Sequence, residues 1–211
     1  MNGPIRMRGE GLAKVFNRRT IFSGISFSIS AGATLLITGR NGSGKSTLVK
    51  IISNVLTPSA GTVTMDEGGH LLEGHWPDHV GMVSPYLQVF EEFSALENLH
   101  IAAGVRGLTF EPERAEALLA RVSLFPRRND PVRTFSSGMK QRVKYAFAML
   151  HRPPVLILDE PMSNLDAEGT GIVRQIMEEQ NREGLLIVAT NDLTDIGHFD
   201  VRIDLNDARA K

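Results

Sequence analysis

Residues 39–47, with the sequence GRNGSGKST, have the residue types and the spacing of a phosphate-binding loop. The glycines let consecutive backbone N–H groups approach phosphate oxygens with no Cβ in the way. Lys45 can reach the β- and γ-phosphates of a nucleotide, and the Ser46 hydroxyl can ligate Mg²⁺. A glycine-rich turn without a ligand is the alternative, which the complete pattern disfavours. The candidate nucleotide contacts here are Gly39, Arg40, Asn41, Gly42, Ser43, Gly44, Lys45, Ser46 and Thr47.

Two carboxylates, Asp159 and Glu160, directly follow the apolar run 155–158. A residue in the position of Asp159 lies at the carboxyl edge of a parallel sheet, where ligands bind in such folds. Asp159 would hold the hydration shell of Mg²⁺, and Glu160 could orient or deprotonate an attacking water. An acidic strand end before a turn at Pro161 is the alternative. The phosphate loop earlier in the chain favours the catalytic interpretation.

The elements that position these residues are predicted by the hydrophobic pattern. Nearly continuous apolar runs at 34–38, 155–158 and 185–189 are typical of parallel strands buried on both faces. Strict alternation over 25–30 predicts a half-buried antiparallel strand, and 61–65 has a similar pattern. The sequence therefore predicts an α/β core with a small antiparallel layer near the N-terminus.

Helical spacing follows the first buried strand and dominates the middle of the chain. Between about residues 90 and 150, one helix is expected to open at Glu111-Pro112 and another to follow Ser136. We therefore expect a single domain over residues 1–211, with a helical subdomain inserted into the core at approximately 90–150. The apolar positions that predict a helix after the phosphate loop are Leu48, Ile51, Ile52 and Val55.

The composition excludes several classes of protein. The chain has 211 residues, a formal net charge of −1 and no cysteine, so disulfides and thiolate metal sites are absent. The near-zero charge gives no global attraction to nucleic acid or to an anionic membrane, and no nucleic-acid partner is expected. No stretch approaches the ~20 apolar residues of a membrane span. Without direct membrane insertion, any work at a membrane would go through a partner.

The stretch FSSGMKQR at residues 135–142 distinguishes among phosphate-loop proteins. It resembles the L-S-G-G-Q signature of ATP-binding-cassette (ABC) ATPases and its Q-R continuation. The order of phosphate loop, signature and Asp-Glu strand is also that family's order. The resemblance extends over essentially the whole chain: residues 162–166 are similar to the family's D-loop, and 93–99 look like the start of its helical subdomain. Phe16 lies where the family often places a ring against adenine, although a core aromatic is the alternative.

The resemblance implies a P-loop NTPase fold and an ATPase that uses ATP and Mg²⁺. Ser136 can cap the helix that begins there, and in the family this end, with Gly138, binds the γ-phosphate held by the other subunit. Two ATP molecules are thus sandwiched in a two-fold dimer, either a homodimer or a heterodimer with a related cassette. The implied role is that of the ATPase subunit of a transporter, at the cytoplasmic face of the membrane, acting on separate transmembrane permease subunits. The short chain and its signature look like export-type systems, including the haem-exporter type.

Three departures from the family pattern bear on catalysis. The signature has Ser137 and Met139 in place of a glycine and a glutamine. The family also places a glutamine, which contacts Mg²⁺ or the attacking water, after the strand at 80–83. The nearest candidate is Gln88, two or three residues beyond the expected place, and a solvated loop amide is the alternative.

Asn191 is the third departure, since the family has histidine there, which contacts the γ-phosphate and helps to align the water. Asparagine can donate a hydrogen bond but carries no charge and does not titrate. The resemblance therefore assigns catalysis to Glu160, Lys45, Gln88 and Asn191, and predicts slower hydrolysis than in a relative that has histidine.

Two alternatives remain besides the transport ATPase. A soluble cassette ATPase of the cluster-assembly type would have the same motifs without a membrane partner. A slow, mainly ATP-binding clamp is motivated by Asn191 and the displaced Gln88, whereas the intact Lys45, Asp159 and Glu160 oppose it. An isolated kinase or GTPase switch leaves residues 135–142 unexplained.

Overall fold

The computed structural model describes residues 3–74 and 76–207, and these form two sheets and a group of helices. The first sheet has the strand order β2-β1-β4-β5 and the second the order β6-β7-β8-β3-β9. The strands are β1 (Ile5–Phe16), β2 (Arg19–Ser30), β3 (Thr34–Thr38), β4 (Ala60–Glu67), β5 (His70–Leu71), β6 (Val80–Val83), β7 (Val155–Asp159), β8 (Leu185–Ala189) and β9 (Val201–Asp204). The helices are α1 (Lys45–Ile52), α2 (Trp76–His79), α3 (Ala95–Val105), α4 (Pro112–Arg121), α5 (Ser137–Ala148) and α6 (Ala167–Glu183).

The first sheet is antiparallel and has one buried face. Along β2 the side chains alternate between buried and exposed over 25–30, as the sequence pattern predicts. The predicted strand at 61–65 lies within β4, which pairs with β1 in antiparallel register. The antiparallel layer near the N-terminus is therefore confirmed, although β1 itself, with charged residues at its exposed positions, was not predicted.

The second sheet is parallel at every strand pair and lies in the interior. All residues of β3, β7 and β8 are buried, which explains why their sequences are nearly continuous apolar runs. Parallel strands end at the same edge of a sheet. The phosphate loop after Thr38, the carboxylates at Asp159 and Glu160, and the segments after Val83 and Ala189 therefore emerge together.

The helical segment between β6 and β7 contains α3, α4 and α5. The predicted helix at Glu111-Pro112 is α4, with Glu111 at its N-cap position. Ser94 and Glu97 form a reciprocal capping box that begins α3. One prediction is wrong: α1 ends at Ile52, and the side chain of Val55 is 66% exposed beyond the helix.

Over the described ranges, 3–74 and 76–207, no helix combines the length and the apolar character needed to cross a membrane.

Candidate functional site

The phosphate loop connects the end of β3 to the start of α1. Gly44 adopts a left-handed conformation at the N-cap position of α1, with φ of 109°. A Cβ at this position would lie 2.6 Å from Ile21 Cγ2 and 3.2 Å from Phe22 Cδ1, so both conformation and packing require glycine. No side chain caps the N-terminus of α1. Its first N–H groups therefore offer an anion-binding end, which fits a phosphate group.

Lys45 and Glu160, both predicted catalytic residues, are in contact. Lys45 Nζ donates a hydrogen bond to the Gly39 carbonyl oxygen at 2.8 Å and lies 3.1 Å from Glu160 Oε1. Lys45 is 6% exposed, whereas the Glu160 side chain is 25% exposed. The fold thus brings together a lysine that can reach phosphate and a partly accessible carboxylate, although residues 45 and 160 are far apart in the sequence.

Asp159 lies behind this pair and is 1% exposed. Burial raises the pKa of Asp159, the negative charge of Glu160 raises it further, and a hydrogen bond with the Ser46 hydroxyl lowers it. Asp159 Oδ1 is buried without a hydrogen-bond partner in the structure. An unpartnered carboxylate oxygen beside a serine hydroxyl is the hard-oxygen donor set that suits Mg²⁺. The residues therefore fit the metal that the sequence predicts.

The backbone of Glu160 is strained. Its φ is 52°, in the left-handed region, which is uncommon for a residue other than glycine. Its N–H donates to the Ala189 carbonyl oxygen at 2.8 Å, which joins the ends of β7 and β8. Such strain persists where surrounding contacts hold the backbone, and it is frequent at functional sites.

Asn191 lies beside the phosphate loop. Its Nδ2 donates to Asn41 Oδ1 at 3.5 Å, a long contact between exposed side chains. The next residue, Asp192, accepts hydrogen bonds from the backbone and the hydroxyl of Thr194 at 2.9 and 2.7 Å. The Thr194 hydroxyl and then its N–H hold the pKa of Asp192 below its usual value. The structure therefore places Asn191 beside the loop. The segment that carries it is held by the hydrogen bonds between Thr194 and Asp192.

Gln88 is exposed and lines a surface depression with Ser137, Gln141 and Asn164, on the side of α5. None of the described contacts joins it to Ser46 or to Asp159. Closer to α1, the Tyr86 ring lies 4.4 Å from Lys50 Nζ. The structure thus places Gln88 beside the signature helix and does not bring it into contact with the other candidate metal ligands.

Ser136 and Gly138 begin α5 as the sequence predicts. The Ser136 hydroxyl oxygen accepts a hydrogen bond from the Met139 N–H at 3.2 Å, so the predicted helix cap is confirmed. A Cβ at Gly138 would lie 2.9 Å from the Asn164 carbonyl oxygen. This glycine is therefore required by the close approach of α5 to the segment 162–166.

Phe16 is 44% exposed at the end of β1. The Lys14 Nζ lies 4.9 Å from the centre of its ring. The core alternative for Phe16 is therefore wrong, and the ring is accessible to a planar ligand.

The sequence did not predict a second set of contacts at the loop and at the end of β3, from β9 and the turn that follows it. Asn206 Oδ1 accepts a hydrogen bond from the Arg40 N–H at 3.3 Å, and Arg202 Nε donates to the Thr38 hydroxyl at 3.1 Å. Arg202 also pairs with Asp204 at 2.9 Å. These residues carried no recognisable signal, because β9 is short and its polar residues resemble those of a surface loop.

Comparison with known proteins gives consistent results. The family profile described as ABC transporter matches residues 22–163. The chain is 33% identical to the lipoprotein-releasing system ATP-binding protein LolD 1 of Caulobacter vibrioides, over 96% of this chain and 93% of that protein. It is 32% identical to the cytochrome c biogenesis ATP-binding export protein CcmA of Cupriavidus pinatubonensis, over 90% of this chain and 85% of that protein. For the linearmycin resistance ATP-binding protein LnrL of Bacillus subtilis, identity is 30% over 88% of this chain and 60% of the relative.

Solved structures show the same fold. A structure described as the ATP-binding subunit of an ABC transporter superposes with a TM-score of 0.77 at 27% identity, covering 89% of this chain and 80% of that one. A bacterial Atm1-family ABC exporter with ATP bound superposes with a TM-score of 0.81 at 21% identity, over 98% of this chain and 38% of that one. The second likeness concerns the fold alone.

Proposed function

This chain belongs to the ABC transporter family, and from that premise we propose that it is the ATP-binding and ATP-hydrolysing subunit of a transporter. It drives transport through separate transmembrane subunits and acts as one ATPase domain over residues 1–211. The observation that carries the proposal is the contact of Lys45 with Glu160, beside the uncapped N-terminus of α1 and the unpartnered Asp159 oxygen.

Nucleotide binding is assigned to the loop and its surroundings. Backbone N–H groups at residues 39–47 hold the β- and γ-phosphates, and the exposed ring of Phe16 stacks on adenine. Ser46 and Asp159 would hold Mg²⁺, and Gln88 would join them only if its loop moves toward α1. When bound, Mg²⁺ supplies positive charge that offsets the charge on the transferring phosphoryl group.

Lys45 and Glu160 divide the chemistry between them. Lys45 exchanges both the Gly39 carbonyl and the Glu160 carboxylate for phosphate oxygens, which releases the carboxylate of Glu160 from its ion pair. Glu160 then orients the attacking water and accepts its proton as the bond between the γ-phosphorus and the bridging oxygen breaks. The products are ADP and inorganic phosphate. Asn191 contributes a neutral hydrogen bond near the γ-phosphate, so we expect hydrolysis to be slower than in a relative that has histidine.

The dimer places a second chain over the nucleotide. Ser136 and Gly138, at the N-terminus of α5, provide the end that faces the γ-phosphate bound by the other subunit. Closure on ATP and reopening after hydrolysis drive the separate permease subunits at the cytoplasmic face of the membrane. The relatives include a lipoprotein-releasing protein and a cytochrome c biogenesis export protein, as well as aliphatic sulfonates import proteins. We favour the export-type system that the signature at residues 135–142 resembles.

A mainly ATP-binding clamp is the second candidate. It is favoured by the exposed position of Gln88 beside α5 and by the neutral side chain of Asn191 near the loop. In a clamp, wild-type protein would form a lasting dimer on ATP. In the hydrolysing subunit, only a variant blocked in hydrolysis would do so.

Size-exclusion chromatography with light scattering tests the proposal. We expect Glu160→Gln to elute as a dimer with ATP and Mg²⁺ and as a monomer with ADP. Lys45→Ala is the matched control, which removes phosphate binding and should stay monomeric in both. A Glu160→Gln protein that binds ATP and stays monomeric would contradict the proposal, and a stable wild-type dimer on ATP would favour the clamp.

A further inference from the structure

Tyr145 is a buried tyrosine on α5, outside the residues assigned to nucleotide. It is fully buried, and its hydroxyl donates a hydrogen bond to the Pro161 carbonyl oxygen at 2.8 Å. Pro161 is itself buried and directly follows Glu160. A buried hydroxyl and a buried carbonyl each need a partner, so this bond fixes the distance between α5 and the turn after Glu160.

The turn after Glu160 needs such a fixed point. Glu160 has a φ of 52° and is followed by Pro161. A proline disfavours the α-helical region for the residue before it and favours extended backbone there. The Glu160 N–H is held by the Ala189 carbonyl at 2.8 Å, and its own carbonyl accepts from the Ser163 N–H at 3.2 Å. The bond from Tyr145 holds the next peptide unit. The strained conformation is thus held by backbone hydrogen bonds and by one side-chain hydroxyl from another element.

The same helix meets the turn at a second place. Gly138, at the other end of α5 from Tyr145, approaches the Asn164 carbonyl so closely that a Cβ would lie 2.9 Å from it. Asn164 also has a positive φ, of 63°. Residues 160–164 therefore lie against α5 at both of their ends, and a shift of the helix would move the turn that carries the Glu160 carboxylate.

We propose that Tyr145 is a positioning residue for Glu160: its hydroxyl holds the Pro161 carbonyl and thereby places the Glu160 carboxylate for attack on the γ-phosphate. This inference rests on the proposed function, since it concerns the hydrolytic step. Tyr145 is fully buried and its hydroxyl is bonded to the Pro161 carbonyl, so we expect this hydroxyl to matter for the rate of the chemical step and not for ATP affinity. The same bond links α5, which Ser136 caps, to the turn that carries the catalytic carboxylate.

Tyr145→Phe removes one oxygen and keeps the ring in the core. We expect the single-turnover rate of ATP hydrolysis to fall about fivefold or more, while the ATP dissociation constant stays at the wild-type value. In a Glu160→Gln background the same substitution should have no further effect on the residual rate, because the group that it positions is gone.

Thr34→Val is the matched control. It also deletes a buried hydroxyl, one that donates to Asn181 Oδ1 at 2.9 Å. Thr34 is at the start of β3, at the opposite edge of the sheet from the site. Thermal unfolding of both variants measures the stability that each hydroxyl provides. We expect Thr34→Val to lose about as much stability as Tyr145→Phe and still to hydrolyse ATP at the wild-type rate.

Each outcome of these measurements supports or overturns the inference that Tyr145 positions Glu160. A wild-type single-turnover rate in Tyr145→Phe overturns the inference, as does an equal fall in Thr34→Val, which would make the effect one of stability alone. A lower ATP affinity with an unchanged rate also overturns it. A wild-type rate no higher than that of Glu160→Gln overturns the proposed function, and the inference fails with it.

Discussion

Lys45 Nζ contacts two oxygens, that of the Gly39 carbonyl and one of the Glu160 carboxylate. The residue types at this site were predictable, because phosphate, Mg²⁺ and an attacking water each require a narrow choice of side chain. The contact itself was not, because it joins residues that are distant in the chain and depends on the parallel order of β7, β8 and β3. The strain at Glu160 likewise has no sequence signal.

Asn191 lies where the resemblance to ABC ATPases leads us to expect histidine. We expect Asn191→His to raise the ATP turnover number by about threefold or more, since a charge-assisted hydrogen bond to phosphate is stronger than a neutral one. The measurement is steady-state phosphate release at saturating ATP. Asn129→His, at an exposed position in the helical segment, controls for an added imidazole. Turnover that is unchanged or lower in Asn191→His would show that asparagine fulfils the role.

At the scale of elements, the strands buried on both faces were predictable, whereas β1 and β9 were not. The strands β3, β7 and β8 are buried on both faces, so their sequences are apolar throughout. By contrast, β9 mixes polar and apolar residues and is fixed by its pairing with β3, which only the fold shows. The predicted extension of α1 to Val55 is wrong because apolar spacing does not show where a helix stops.

Replacing glycine by alanine should affect stability differently at two helical positions, because only one of them, Gly138, packs against the segment 162–166. Gly171 in α6 has open space where a Cβ would be, so Gly171→Ala should raise the free energy of unfolding by about 0.5–1 kcal/mol. At Gly138 the Asn164 carbonyl lies 2.9 Å from that place. Gly138→Ala should therefore bring no gain in stability and should lower ATP turnover. Urea unfolding and turnover of both variants provide the check, and an equal gain in both would contradict this packing.

At the scale of the whole molecule, the helical segment is joined to the core through His151. Its Nε2 lies 3.2 Å from the Val80 carbonyl oxygen at the start of β6 and 3.3 Å from Arg106 Nη1. Arg106, at the end of α3, also donates to the Pro77 carbonyl oxygen at 2.7 Å. Burial first, and then the positive charge of Arg106, lower the pKa of His151 to about 4. Asp78 acts in the opposite sense, and Arg114 adds to the lowering.

This junction predicts a loss of stability in acid. In the unfolded chain His151 binds a proton near pH 6.5, whereas in the folded protein it does so only near pH 4, according to its pKa values. Its contribution is therefore fully present above about pH 6.5 and is lost as the pH falls toward 4. We expect His151→Gln to reduce the loss of unfolding free energy between pH 7.5 and pH 5 by about 1–2 kcal/mol.

Chemical denaturation at the two pH values measures this difference. His70→Gln, at an exposed histidine on β5, is the control and should leave the pH dependence unchanged. Equal pH dependence in wild type and His151→Gln would mean that the histidine is protonated in the folded protein.

The most direct test of the account is ATP turnover of the purified chain with Mg²⁺, measured over a range of protein concentrations beside Glu160→Gln. We expect turnover to rise more than linearly with protein concentration, because two chains complete each site, and to be lost in the variant. Turnover equal in wild type and Glu160→Gln, with ATP binding intact in both, would contradict the assignment of hydrolysis to this site.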